Sequence, residues 1–128
     1  MEGTIELFES LRTELINHYD ATKGSIFGHK GLKVQGKVFV FYNEPNIVVK
    51  LRPKDVEEAL NITGAKNFDP MGGKPMKEWV EIPYGETQQW FDYSIKGMTY
   101  VKSLISKWTS YFWDFADKLK PDESFDYL

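Results

Sequence analysis

The side chains in this sequence that could do chemistry are two histidines, a few serines, a Gly-Gly-Lys loop and a run of lysines. His18 and His29 stand apart, with no HExxH spacing and no cysteine to complete a metal set. His18 falls in a helical pattern, where surface placement is the simpler reading, while His29 stands in a glycine-flanked turn beside Lys30. The absence of cysteine removes disulfides, thiol nucleophiles and cysteine-ligated zinc or iron-sulfur sites. Ser25, Ser94 and Ser103 lack the glycine-flanked elbow that exposes a nucleophilic serine. Carboxylates are numerous but scattered, with no pair inside an apolar stretch that would raise a carboxyl pKa for acid catalysis. The expectation is a non-enzymatic protein with no cofactor and no bound metal.

Binding is the better-supported chemistry. Residues 23–54 hold Lys23, Lys30, Lys33, Lys37, Lys50, Arg52 and Lys54 against Glu44 alone, a local charge of +6. The rest of the chain then carries −9 within the total of −3. Such a basic tract attracts an anionic partner, pairs with the acidic surface of a second copy, or simply guards strand edges from aggregation. Asp69-Pro70-Met71-Gly72-Gly73-Lys74-Pro75-Met76 invites a phosphate-loop reading, because glycines let backbone amides approach an anion that a lysine neutralises. The spacing fails: proline follows the lysine where GxxxxGK needs serine or threonine opening a helix.

These residues must be positioned by a small set of elements. Gln35-Gly36 is a hairpin turn between Leu32-Lys33-Val34 and residues 37–42, and Asn43-Glu44-Pro45-Asn46 turns the chain into Ile47-Val48-Val49-Lys50-Leu51. The tract 23–54 thus reads as three strands. The middle strand is apolar on both faces, with Val38, Val40 and Tyr42 one way and Phe39 and Phe41 the other, so it belongs inside a sheet packed on both sides. Residues 4–20 read as a helix with Thr4 as N-cap and Phe8, Leu11, Leu15 and Tyr19 as its apolar stripe. A short helix follows Pro53 and stops at Gly64, residues 65–78 form a loop, and Trp79-Val80-Glu81-Ile82-Pro83 is a strand. From Glu86 onward Phe91, Ile95, Met98, Val101, Ile105, Trp108, Phe112 and Phe115 keep helical spacing, interrupted by Gly97, where a kink or a close backbone contact is expected.

Phe27-Gly28-His29-Lys30-Gly31-Leu32, Gly36-Lys37-Val38-Phe39 and residues 73–83, GKPMKEWVEIP, resemble the pattern of the TfoX N-terminal domain family over about residues 3–105. The resemblance implies an α+β domain, an antiparallel sheet flanked by helices, with no established enzymatic activity and a link to regulation. Ser25 and Ile26 stand where that pattern has a basic residue and a methionine, and the chain continues past the domain's expected end.

The expected fold is therefore α+β, an antiparallel sheet of about four to five strands flanked by helices, with a long C-terminal helix. Residues 1–108 form the TfoX N-terminal-like domain and residues 109–128 a helical extension with an acidic tail. The start, MEGTIELFES, lacks a signal peptide's pattern, and no run approaches the roughly 18 apolar residues of a membrane span, so the expected location is cytoplasmic and away from membranes. The expected function is a regulatory or protein-interaction module acting as a homodimer through Trp108, Tyr111, Phe112, Trp113 and Phe115. The alternative is a nucleic-acid or anion-binding domain using His29, Lys30, Lys33, Lys37, Lys74 and Trp79, with strand aromatics stacking on bases.

Overall fold

A computed structural model describes the backbone of residues 3–116 and the side chains of residues 3–107. Its element order is α1 (Thr4–His18), β1 (Ala21–Ile26), β2 (His29–Val34), β3 (Lys37–Asn43), β4 (Asn46–Lys50), α2 (Pro53–Ala59), β5 (Lys66–Phe68), β6 (Met76–Ile82) and α3 (Trp90–Ala116). The strands form one antiparallel sheet in the order β1-β2-β3-β4-β6-β5. The fold is α+β with a long C-terminal helix, as expected, but the sheet has six strands. The additional ones are β1, between the first helix and the first expected strand, and β5, in a stretch read as loop.

Two tight turns build the basic hairpins. Phe27 and Gly28, and again Gln35 and Gly36, all adopt positive φ (53° and 78°, then 49° and 86°). Successive left-handed residues twist a two-residue turn to match the strands it joins. The Asn43–Asn46 turn contains a cis Glu44–Pro45 bond.

The central strand departs from simple alternation. Leu32 lies opposite Val40 and Lys33 opposite Val38, leaving Phe39 as the extra residue of a bulge. Phe39 therefore joins Val40 and Tyr42 in the main core, while Val38 turns to the other face with Phe41. This corrects the expected pairing of Phe39 with Phe41, because a bulge reverses the side-chain phase along the strand.

The helices cover one face of the sheet. Phe8, Leu11 and Leu15 of α1, Val56 and Ala59 of α2, and Trp90, Tyr93, Met98, Val101 and Ile105 of α3 pack there with Leu32, Val34, Phe39, Val40, Ile47, Val49, Val80 and Ile82. Thr4 does not act as an N-cap: Gly3 precedes the helix, and the buried Thr4 hydroxyl shares a hydrogen bond of 2.7 Å with the Tyr42 hydroxyl. Pro53 opens α2 and Gly64, at φ 85°, follows its end. No helix among the described residues is long and apolar enough to cross a membrane.

The sheet itself covers the second face by curling. Phe41 is ringed by His29, Phe27, Phe68 and Trp79 at centroid distances of 5.6, 6.1, 5.2 and 5.6 Å. Phe27 comes from the β1–β2 turn and Phe68 from β5, the two opposite ends of the strand order, yet their rings are 6.2 Å apart. The expectation of something packed over each side is met here without a second layer of helices.

Candidate functional site

Gly97 determines where α3 lies. A Cβ at that position would stand 2.6 Å from Val49 Cγ1, 2.9 Å from the Lys50 carbonyl and 3.3 Å from the Phe39 carbonyl. The helix backbone thus rests directly on β3 and β4, the close contact expected from a glycine inside a helix. One to three turns further on, α3 passes the end of the sheet where the β2–β3 turn and the last residue of β4 meet.

A cleft of about 800 Å³ opens at that point. Val101, Leu104 and Ile105 of α3 form one apolar wall, and Ile26 and Val38, which pack against the second cluster, form the other. Lys33, Lys37, Lys50, Lys107 and Ser25 also line the cleft, and no carboxylate is among the described residues lining it. Lysines from β2, β3, β4 and α3 thus line one apolar hollow. A cleft lined by charge of one sign favours an anion that enters, and apolar walls strengthen that attraction.

Lys33 and Lys50 have identifiable neighbours. Lys33 crosses Gly24, where an added Cβ would lie 2.4 Å from its Cγ, so glycine at 24 leaves the path open. Lys50 stands 5.8 Å over the Trp79 ring and 3.8 Å from a Glu78 carboxylate oxygen, so its charge is partly shared. Glu78 also accepts a short hydrogen bond from the Tyr100 hydroxyl. Burial, then that hydrogen bond, pushes the Tyr100 hydroxyl up to about 12. No ion pair among the described residues uses Lys33 or Lys107.

A second hollow, of about 480 Å³, lies between α2 and α3. Its lining mixes Arg52, Lys54 and Lys96 with Asp55 and Glu58, and most of these pair with one another. Arg52 donates to Asp55 at 3.0 Å, while Glu58 accepts from Lys96 and from the Tyr93 hydroxyl, both at 2.8 Å. The Lys96 and Tyr93 hydrogen bonds hold the Glu58 carboxyl below its ordinary value, and burial followed by the Glu58 bond raises Tyr93. Internal neutralisation leaves this hollow without the preference for an anion that the lysine-lined cleft has.

The structure brings together only part of the set expected from sequence. Lys33 and Lys37 line the cleft. Lys30 points to the α1 side, 3.5 Å from Glu9. His29 is stacked on Phe41 and Trp79 is 8% exposed, so both belong to the second cluster. Lys74 is exposed on its loop, where the Gly73 and Lys74 amides donate to Asp69 Oδ1 at 3.0 and 3.1 Å. The chain's own carboxylate therefore occupies the position a phosphate would take. Trp108, Tyr111, Phe112, Trp113 and Phe115 lie outside the residues whose side chains are described.

Lys50 and Lys107, with the apolar lining, are the additions. Lys50 was visible as part of the basic tract, but nothing in the local sequence ties Lys107 to a hairpin about 70 residues earlier. Among the described residues, no group of three or more histidine or carboxylate side chains is placed to hold a metal ion. No protein-family model matches this chain, and no curated protein or solved structure matches it.

Proposed function

We propose that this chain is a non-catalytic binding domain whose ligand is an anion, taken up in the cleft between α3 and the end of the sheet. The observation that supports this reading is that Lys33, Lys37, Lys50 and Lys107 line one apolar hollow with no carboxylate among its described lining. A regulatory role follows naturally for such a domain, and the resemblance to the TfoX N-terminal pattern points the same way. Nucleic acid fits less well, because bases need exposed aromatic faces and, of the expected stacking rings Phe27, Phe39, Phe41 and Tyr42, the last three are 0%, 0% and 7% exposed, leaving Phe27 at 57%.

Thermal melting of the full chain with acetate, phosphate, octanoate or a single-stranded oligonucleotide tests the proposal, since a ligand bound only by the folded state raises the midpoint. At least one anion should raise it, and the Lys33→Gln/Lys107→Gln double variant should abolish the rise. A midpoint that no anion raises, or a rise unchanged in the double variant, overturns the reading.

A second reading, self-association, rests on the length of α3. The helix continues eleven residues beyond Ile105, its last residue in the described core, or about 16 Å of helix. That stretch carries Trp108, Tyr111, Phe112, Trp113 and Phe115 in its sequence, and such a concentration of aromatics favours burial against a second copy. Light scattering should then give a dimer that deletion of residues 109–128 converts to a monomer, and a wild-type monomer at high micromolar concentration would end this reading.

A further inference from the structure

We infer that the anion taken by the cleft is a small amphipathic carboxylate, one charged head on an apolar body several methylenes long. This rests on the anion-binding reading above and narrows it to a chemical class. The lining is of two kinds: four lysines, and the apolar side chains of Ile26, Val38, Val101, Leu104 and Ile105. A compact inorganic anion would satisfy the lysines and leave Ile26, Val38 and Leu104 against water. An uncharged apolar molecule would cover the apolar side chains and leave Lys33 and Lys107, which no ion pair among the described residues uses, unanswered. Only a molecule carrying both features uses the whole surface, and about 800 Å³ lies in the range of small-molecule sites.

The remaining side chains narrow the class further. Lysine donates hydrogen bonds and accepts none, so among the described lining side chains only the Ser25 hydroxyl can accept one from a ligand. A sugar or a nucleobase, whose hydroxyl and amino groups need acceptors, is poorly served there. No aromatic ring is among the described lining, which removes the stacking surface a nucleotide would use. The described lining also holds no arginine fork and no helix N-terminus, the two devices that favour a phosphate over a carboxylate. Lysine as a point charge suffices for a carboxylate, and Glu78 tempers the charge of Lys50.

Calorimetric titration of the full chain with octanoate, butyrate, octanol, octyl phosphate and inorganic phosphate tests this. Octanoate should bind, each methylene removed from it should weaken binding about fourfold, and octanol should bind far more weakly. Lys33→Gln and Lys107→Gln should each weaken octanoate about tenfold, as expected for losing a charge-assisted contact. Leu104→Gln should weaken octanoate more than butyrate, whereas Lys66→Gln and Lys77→Gln, on exposed sites away from the cleft, should change nothing. Circular dichroism on each variant separates lost binding from lost folding. If phosphate or butyrate binds through Lys33 and Lys107 with no gain from chain length, the amphipathic-carboxylate assignment falls and the anion site stands. Tighter binding of octyl phosphate than octanoate overturns it too, as does uptake of a synthetic peptide of residues 122–128 in place of octanoate. If no anion binds at all, both readings fail.

Discussion

Replacing Gly97 with alanine gives α3 a better helix former and a worse fit. In an exposed helix the exchange stabilises by about 1 kcal/mol. Here the new methyl would lie 2.6 Å from Val49 Cγ1 and 2.9 Å from the Lys50 carbonyl oxygen. Val49 is fully buried and a strand carbonyl cannot rotate away, so the helix must lift from the sheet by several tenths of an ångström. Lifting loosens Trp90, Tyr93, Met98 and Val101 together, and overpacking of this kind costs about 3 kcal/mol at the upper end of its range. Subtracting the helical gain leaves a net loss of about 2 kcal/mol, or roughly 8 °C in melting midpoint at about 4 °C per kcal/mol for a chain of this size. Urea unfolding followed by tryptophan fluorescence reads the loss as a lower midpoint at unchanged slope. Thr99→Ala, exposed on the same helix, serves as the near-neutral control. A Gly97→Ala variant as stable as the wild type would refute the direct seating of α3 on β3 and β4, and with it the position of the cleft wall.

Ser94 is fully buried and its hydroxyl has no hydrogen-bond partner among the described residues, so Ser94→Ala should stabilise by about 1 kcal/mol in a urea titration, opposite in sign to the change at Gly97. Phe41→Ala should cost about 3–5 kcal/mol by the same assay, because Phe41 is the ring that Phe27, His29, Phe68 and Trp79 all pack against. Tyr100 is raised from 10 to about 12 in the folded chain, so it stabilises fully below pH 10 and this contribution is lost as pH rises through about 12. The urea midpoint of the wild type should therefore fall more steeply than that of Tyr100→Phe across this window.

The helices and the inner strands were legible because their signals are local. Phe8, Leu11 and Leu15 recur at helical spacing, and β3 and β4 are runs of branched and aromatic residues bounded by turn formers. β1 escaped because Thr22, Lys23, Gly24 and Ser25 offer no alternating apolar face, and only pairing with β2 makes them a strand. β5 is three residues long and owes its conformation to β6. The bulge at Phe39 could not be read either, since it depends on the register of β2 against β3 and not on the strand's own sequence. The candidate site follows the same rule. Lys33 and Lys37 stood out through their shared hairpin, whereas Lys107 joins them only because Gly97 seats α3 across the sheet.

The central claim, an amphipathic anion held between α3 and the end of the sheet, is tested most directly by amide chemical shifts of the labelled full chain during titration with octanoate. Saturable shifts should concentrate at Ser25, Ile26, residues 33–38, Lys50 and residues 101–107, and be abolished in the Lys33→Gln/Lys107→Gln double variant. Shifts gathered instead around Phe27, Phe68 and Trp79 or along α1, or no saturable shifts at all, would contradict it.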